Sequence, residues 1–204
     1  MPVRQKKPGQ HHHGDLRRAL LDALAEAAAS QSPEALSLRD LARRAGVAHS
    51  AAAPHFGDKR GLLTAFAAEG FQRLAGSQRA AMAAAPPDPA AQLAASGLGY
   101  IAFARDNPGH FRVMLRGALL DPADPALRAG REAAWAPMEA ALTAGTPGLD
   151  AAARLERMLF AWSGVHGFAT LAAEAPEPLL AHPGGLAGAA EAVVARVVAA
   201  CLRP

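Results

Sequence analysis

The sequence predicts an all-α protein, and three observations carry that prediction. Alanine supplies 54 of the 204 residues, about a quarter of the chain. Alanine has the best helix propensity and is disfavoured in sheets. Apolar residues recur at helical spacing through most of the chain, as in Leu16, Leu20 and Leu24. Proline, glycine and polar breakers cut the periodic stretches into helix-length pieces. Aromatic residues are scarce, at 5%. Leu, Val, Ile, Phe and Met nevertheless recur throughout, which argues against disorder. A single cysteine, Cys201, excludes an intrachain disulfide framework and a cysteine-based zinc site.

The elements follow in order. Residues 1–13 read as a flexible basic arm with Arg4, Lys6 and Lys7 and no apolar core of a signal peptide. A helix runs from about Asp15 to Ser30, with Arg18, Asp22 and Glu26 spaced for i,i+4 pairs. Ser30-Gln31-Ser32-Pro33 stops it. A short helix starts at Ser37, where Ser37 and Asp40 have capping-box spacing, and Gly46 ends it. A second short segment spans Ala48 to Phe56. Asp58 opens a longer helix carrying Leu62, Leu63, Phe66, Phe71 and Leu74. The run Ala85-Pro86-Pro87-Asp88-Pro89 breaks the chain. Further helices are expected at about 90–106, 108–118, 123–144, 150–174 and 184–202. Pro137 should kink or split the third of these. No stretch is long and apolar enough for a membrane span, so a cytoplasmic protein is expected.

Charge is uneven. Residues 1–60 hold ten Lys/Arg and six Asp/Glu, or +4, and residues 61–204 hold eleven and twelve, or −1. A basic N-terminal piece on a near-neutral body fits a polyanionic partner or an ordinary solvated surface. Leu36 to Phe56 has the pattern of a helix-turn-helix. Leu38, Leu41, Ala42, Ala45, Val47 and Ala52 can close a small core between its two helices, and Gly46 takes the sharp turn.

These stretches resemble the TetR family of bacterial transcriptional regulators. The resemblance rests on residues 13–23 (HGDLRRALLDA), 38–47 (LRDLARRAGV) and 55–63 (HFGDKRGLL). In the C-terminal half, Trp162, His166 and Gly167 resemble the subgroup with a Trp-His-Gly signature. The resemblance implies an all-α homodimer with a helix-turn-helix head at 14–60, a connecting helix at 61–84 and a ligand-binding and dimer-forming body at 85–204. His13-Gly14 matches the subgroup's approach to the first helix, so the histidine run reads as native. A metal site on three adjacent histidines is the disfavoured alternative, and no metal or cofactor is expected.

The resemblance also implies roles for residues. Arg39 would reach a base edge or phosphate, Ser37 a phosphate, Lys59 a phosphate, and His55 the sugar-phosphate backbone. His49, Ser50, Ala51 and Ala53 fall on the recognition helix. Three departures stand out: Ala48 replaces a hydroxyl N-cap, Ala53 replaces an aromatic residue, and Pro54 sits in the last helical turn. Reduced base specificity and a steep salt dependence are therefore expected. In the body, Tyr100, Phe103, Phe111, Met114, Trp135, Met158, Trp162 and His166 either line a cavity for a small apolar or amphipathic effector or are plain core. Ala189, Ala192, Val193, Arg196, Val197 and Ala200 suit a dimer bundle. A two-fold dimer implies a pseudo-palindromic operator with half-sites about one helical turn or slightly more apart. Repression relieved by the effector is the preferred reading. The alternative is a helical small-molecule-binding protein with weak or no specific DNA binding. No nucleophile elbow, phosphate loop or metal spacing supports an enzyme.

Overall fold

The computed structural model describes residues 13–174, 177 and 181–203. The basic arm with Lys6 and Lys7 lies outside the described residues. Every regular element among those described is helical. The head comprises α1 (His13–Ser30), α2 (Leu38–Arg44) and α3 (His49–Phe56). The body comprises α4 (Lys59–Ala83), α5 (Pro89–Asp106), α6 (Pro108–Met114), α7 (Pro125–Gly145), α8 (Ala151–Glu174) and α9 (Gly185–Cys201).

Local chemistry sets the ends of these helices. The Ser37 hydroxyl accepts from the Asp40 amide at 3.1 Å and starts α2. Asp58, Asp88 and Asp124 do the same for α4, α5 and α7. Gly46 adopts φ 68° after α2. Its N–H reaches the Arg43 carbonyl and the Val47 N–H reaches the Ala42 carbonyl, the paired bonds of a Schellman turn. That turn needs glycine and fixes the angle between α2 and α3.

One sequence expectation is corrected. The helix expected over 108–118 ends at Met114, and a single 3₁₀ turn follows at Gly117–Leu119. Side chains of α4 seize the chain there. The Arg60 guanidinium donates to the Leu120 carbonyl at 2.8 Å, and Thr64 Oγ1 accepts from the Asp121 amide at 2.9 Å. Leu120 is fully buried beneath them. The helix containing Pro137 is not split; it runs unbroken from Pro125 to Gly145. The proline removes one backbone N–H, but its ring is buried where α7 packs on α4 and α5.

One apolar cluster runs from Leu20 in α1 through Phe66 in α4 to Cys201 in α9. The expected connector, 61–84, falls on α4 and its C-cap Ala84, and α4 packs along both α5 and α7 and so forms the spine of the body. The head meets the body through α1 and α6. A Cβ on Gly109 of α6 would strike the Ala25 carbonyl oxygen, so the two backbones touch there. Beside this contact Glu69 of α4 receives both Arg18 Nη1 bonds at 3.1 Å and lies 2.6 Å from Arg73. His110, only 3% exposed, stacks on Phe66 with ring centroids 3.8 Å apart.

These groups make stability depend on acid. Burial, aided by the Arg73 charge, pushes His110 down to about 4 from 6.5. For Glu69 burial acts upward, but the Arg18 bonds and the Arg73 charge outweigh it and hold the carboxyl low. In both cases the unfolded chain binds more protons than the folded one. Stability from His110 is therefore complete above its unfolded pKa and declines as the pH falls from 6.5 towards 4. The loss should reach up to about 3 kcal/mol. Urea denaturation at a series of pH values should show this decline, and His110→Phe, which keeps the stack, should flatten it.

Candidate DNA-binding head and ligand cavity

The head presents a compact surface built from α2 and α3. Arg39 is exposed on the first turn of α2, with Arg43 and Arg44 exposed further along it. Ser37 is half-buried and its hydroxyl is occupied twice by Asp40, accepting from the amide and donating to Oδ2 at 2.6 Å. Its proton is thus directed at a carboxylate. On α3, Ser50 and Ala53 are exposed, Ala51 is half-buried and Ala52 is fully buried in the core. The His49 side chain lies outside the described residues. His55 is half-buried beside Phe56. Lys59 is half-buried, and its Nζ donates to the Glu34 carbonyl at 2.7 Å, tying the start of α4 to the loop before α2.

Ala48 precedes α3 with an extended backbone and makes no side-chain cap. Pro54 lies inside this eight-residue helix and removes another N–H. The missing cap alone weakens such a helix by about 1 kcal/mol. Packing compensates: Ala52 anchors α3 in the core, and Arg17 of α1 lies 5.5 Å over the Phe56 ring at its end.

The body holds a cavity of about 170 Å³, partly open to the surface, between α4, α5, α6, α7, α8 and α9. Tyr100, Met114, Trp135 and Trp162, four of the residues proposed from sequence, line it. The other four do not. Phe103 and Met158 are buried in the core. Phe111 faces a second, larger groove with Ile101 and Leu186. His166 sits behind Tyr100. Sequence reasoning missed Gln78 on α4 and Ser96 on α5, which also line the cavity. A signal was present, because each falls on an apolar stripe, 71-74-78 and 93-96-100. A polar residue in such a stripe marks a buried polar site.

A hydrogen-bonded chain borders the cavity. Trp162 Nε1 donates to the Tyr100 hydroxyl at 3.4 Å, and that hydroxyl lies 2.9 Å from His166 Nδ1. Burial raises Tyr100 to about 12 and lowers His166, so both groups are neutral near pH 7. A neutral imidazole leaves Nδ1 free to accept the Tyr100 proton. The rings then continue outward. His166 lies 5.3 Å from Phe111 of α6, and Trp162 lies 5.7 Å from Trp135.

The proposed dimer residues divide. Ala192, Arg196 and Ala200 are exposed and Val193 is half-buried. Ala189 and Val197 are buried inside the protomer, and Val197 lines the cavity. They point inward because α9 packs that stripe against α5 and α8. None of these named residues lies on α8, whose outer face is also apolar. Leu155, Leu159, Phe160 and Leu171 are exposed there, the last two at 53% and 56%.

A helix-turn-helix head joined through a long helix to a body that holds a ligand-sized cavity is the architecture of a DNA-binding regulator. Residues 20–72 match the family model described as bacterial regulatory proteins, tetR family. Residues 93–201 match the one described as tetracyclin repressor-like, C-terminal domain. The chain belongs to the TetR family of DNA-binding transcription regulators. A solved protein of unknown function from Rhodococcus sp. RHA1 is 30% identical over 97% of this chain and 98% of its own, with a TM-score of 0.73. Two further structures share the fold. The TetR family transcriptional regulator PfmR from Thermus thermophilus is 22% identical over 91% of this chain and 94% of its own, TM-score 0.66. The fatty acid degradation regulator FadR from Bacillus halodurans is 15% identical over 98% and 97%, TM-score 0.67. No curated protein matches the sequence. Among the described residues, no helix is long and apolar enough to cross a membrane.

Tyr100→Phe should remove the centre of the hydrogen-bonded chain and leave His166 Nδ1 and Trp162 Nε1 without it. A stability loss of about 1–3 kcal/mol is expected. Urea denaturation followed by tryptophan emission measures it directly, since both tryptophans of the chain line the cavity.

Proposed function

We propose that the protein binds a pseudo-palindromic operator as a homodimer and releases it when a small, mostly apolar effector fills the cavity. Repression relieved by effector is the preferred sense. The observation that carries this reading is a continuous contact path from cavity to head. Trp162 lines the cavity, His166 and Tyr100 pack behind it, Phe111 of α6 packs on both, and Gly109 of α6 touches α1. An effector that displaces α6 must also move α1, and with it the spacing of the two heads. Ligand then acts by favouring the state that no longer fits DNA.

On the DNA side, Arg39 is the side chain best placed to read a base. Lys59 supplies charge near the backbone, its ammonium keeping two further protons beyond the one held by Glu34. Alanine at 51 and 53 offers no hydrogen bonds to bases. Selection from random double-stranded DNA should enrich an inverted repeat. Arg39→Ala should relax its sequence, while Lys59→Ala should weaken all sites and reduce the salt slope by about two, one for each protomer. Salt-sensitive binding without any enriched sequence would favour the second reading, a helical ligand-binding protein with weak DNA affinity. The uncapped, Pro54-containing α3 is the observation that keeps that reading in view.

The outer faces of α8 and α9 supply the dimer surface in this reading. Leu155, Leu159, Phe160 and Leu171 are apolar and exposed, and the small Ala192 and Ala200 allow close helix approach. Phe160→Glu should convert the dimer to a monomer in sedimentation and abolish inverted-repeat binding, while the circular dichroism spectrum stays unchanged. A wild-type monomer bound to DNA would overturn the dimer assignment.

A further inference from the structure

We infer that the effector is a small apolar carboxylate, and that the Arg131 guanidinium receives its head group at the edge of the cavity. The inference rests on the reading of the cavity as the effector site. Arg131, Ala134, Trp135 and Met138 recur at i, i+3, i+4 and i+7 on α7, and all four line the cavity. That stripe is the face of α7 turned towards the ligand space. Arg131 is half-buried, and its guanidinium lies 5.7 Å over the ring of Phe71, another lining residue. Among the described residues it has no hydrogen-bond or ion-pair partner. Gln78 Oε1 is also without a partner, but it is sealed from solvent. The Arg131 nitrogens are not sealed in this way and keep surface that a ligand can reach.

The surroundings fix what accompanies that charge. Among the described residues no Asp or Glu lines the cavity. One turn away from Arg131 on α7 stand Leu127, Arg128, Ala134 and Trp135, none of them acidic. The guanidinium is therefore a positive charge without a protein counter-ion. The remaining polar groups are already committed, Tyr100 to Trp162 and His166, and Gln78 to Ser96. Leu74, Leu93 and Val198 give the walls their apolar character. Leu115, which is 36% exposed, also lines the cavity, so the space reaches the surface. A cation at the rim of an apolar space selects an amphipathic anion. The apolar body fills the interior, and the head group pairs with the guanidinium where partial burial strengthens the pairing. A planar carboxylate matches the guanidinium fork with two parallel hydrogen bonds, and its single charge balances it. An ammonium would be repelled, and a doubly charged phosphate would leave one charge uncompensated. The size of about 170 Å³ is close to the roughly 150 Å³ of an apolar cavity that admits one benzene ring.

The test uses three probes of similar shape: 4-methylbenzoate, its neutral amide 4-methylbenzamide, and p-xylene. Binding is read by tryptophan emission, excited at the red edge of its absorption, and by thermal shift of the full chain. Wild-type protein should bind 4-methylbenzoate at least about tenfold more tightly than 4-methylbenzamide. Raising the salt concentration should weaken the carboxylate and leave the amide unchanged, a measurement that needs no variant. Arg131→Met keeps the unbranched stem and removes the charge. It should erase the preference for the carboxylate while leaving p-xylene binding unchanged. Binding of 4-methylbenzoate no tighter than that of the amide in the wild type overturns the inference and leaves the effector site standing. A preference that survives Arg131→Met, or that salt does not weaken, does the same. Failure of all three probes to bind overturns the effector reading and this inference with it.

Discussion

The rest of the structure depends on the backbone contact between α6 and α1. At Gly109 the helices approach so closely that no side chain fits between them. Such a contact transmits displacement without slack, because packed interiors are nearly incompressible. The neighbouring ion pairs reinforce it from a third direction. Glu69 on α4 binds Arg18 of α1 and Arg73 of its own helix, and Arg73 also donates to Asn107 at the α5–α6 turn. The first helix of the head is thus held by α4 and α6 together. Exposed ion pairs contribute little alone. Here Glu69 is partly shielded and shared, and it fixes the orientation of α1 more than it adds to stability.

A separate set of contacts explains how a weakly capped α3 keeps its position. Nothing at Ala48 caps α3, and Pro54 weakens its last turn. Its placement comes instead from the glycine turn at Gly46, from Ala52 in the core and from Phe56 beneath Arg17. Placement and chemistry are therefore separable in this head. The helix is set where a groove-reading helix sits, but its exposed residues carry few hydrogen-bonding groups. In the proposed complex, sequence reading then rests on a small number of side chains, with Arg39 foremost, and affinity on charge.

Features encoded locally were legible in the sequence. The all-α class, the Ser37 cap, the Gly46 turn, the uncapped Ala48 and the Asp58 start of α4 all depend on a residue and its near neighbours. The cavity residues were half legible. Tyr100, Met114, Trp135 and Trp162 line the cavity as expected, but Met158 and His166, on the same helix as Trp162, do not. A helical face is wide enough to serve a cavity, a core and a hydrogen-bond chain at once. Which stripe of α9 turns inward depends on what covers it, so Ala189 and Val197 could not be told from Ala192 and Arg196. The end of α6 was hidden because Arg60 and Thr64, about sixty residues away, capture Leu120 and Asp121.

The alanine content and the scarcity of aromatic residues form one design. Small residues let α5, α8 and α9 pack closely, and Gly97, Ala134 and Ala161 are also what leaves space between them. A wall of alanine alone would give a soft, poorly defined cavity. The few large rings are placed to stiffen one side of it: Trp135, Trp162, Tyr100, His166 and Phe111 form an unbroken series from α7 to α6. Filling the small-residue side therefore presses against a rigid side, and the rigid side ends on the helix that touches the head. The polar pair Gln78–Ser96 stands on the α4–α5 wall, near the close approach at Gly99 where α5 meets the α4 backbone.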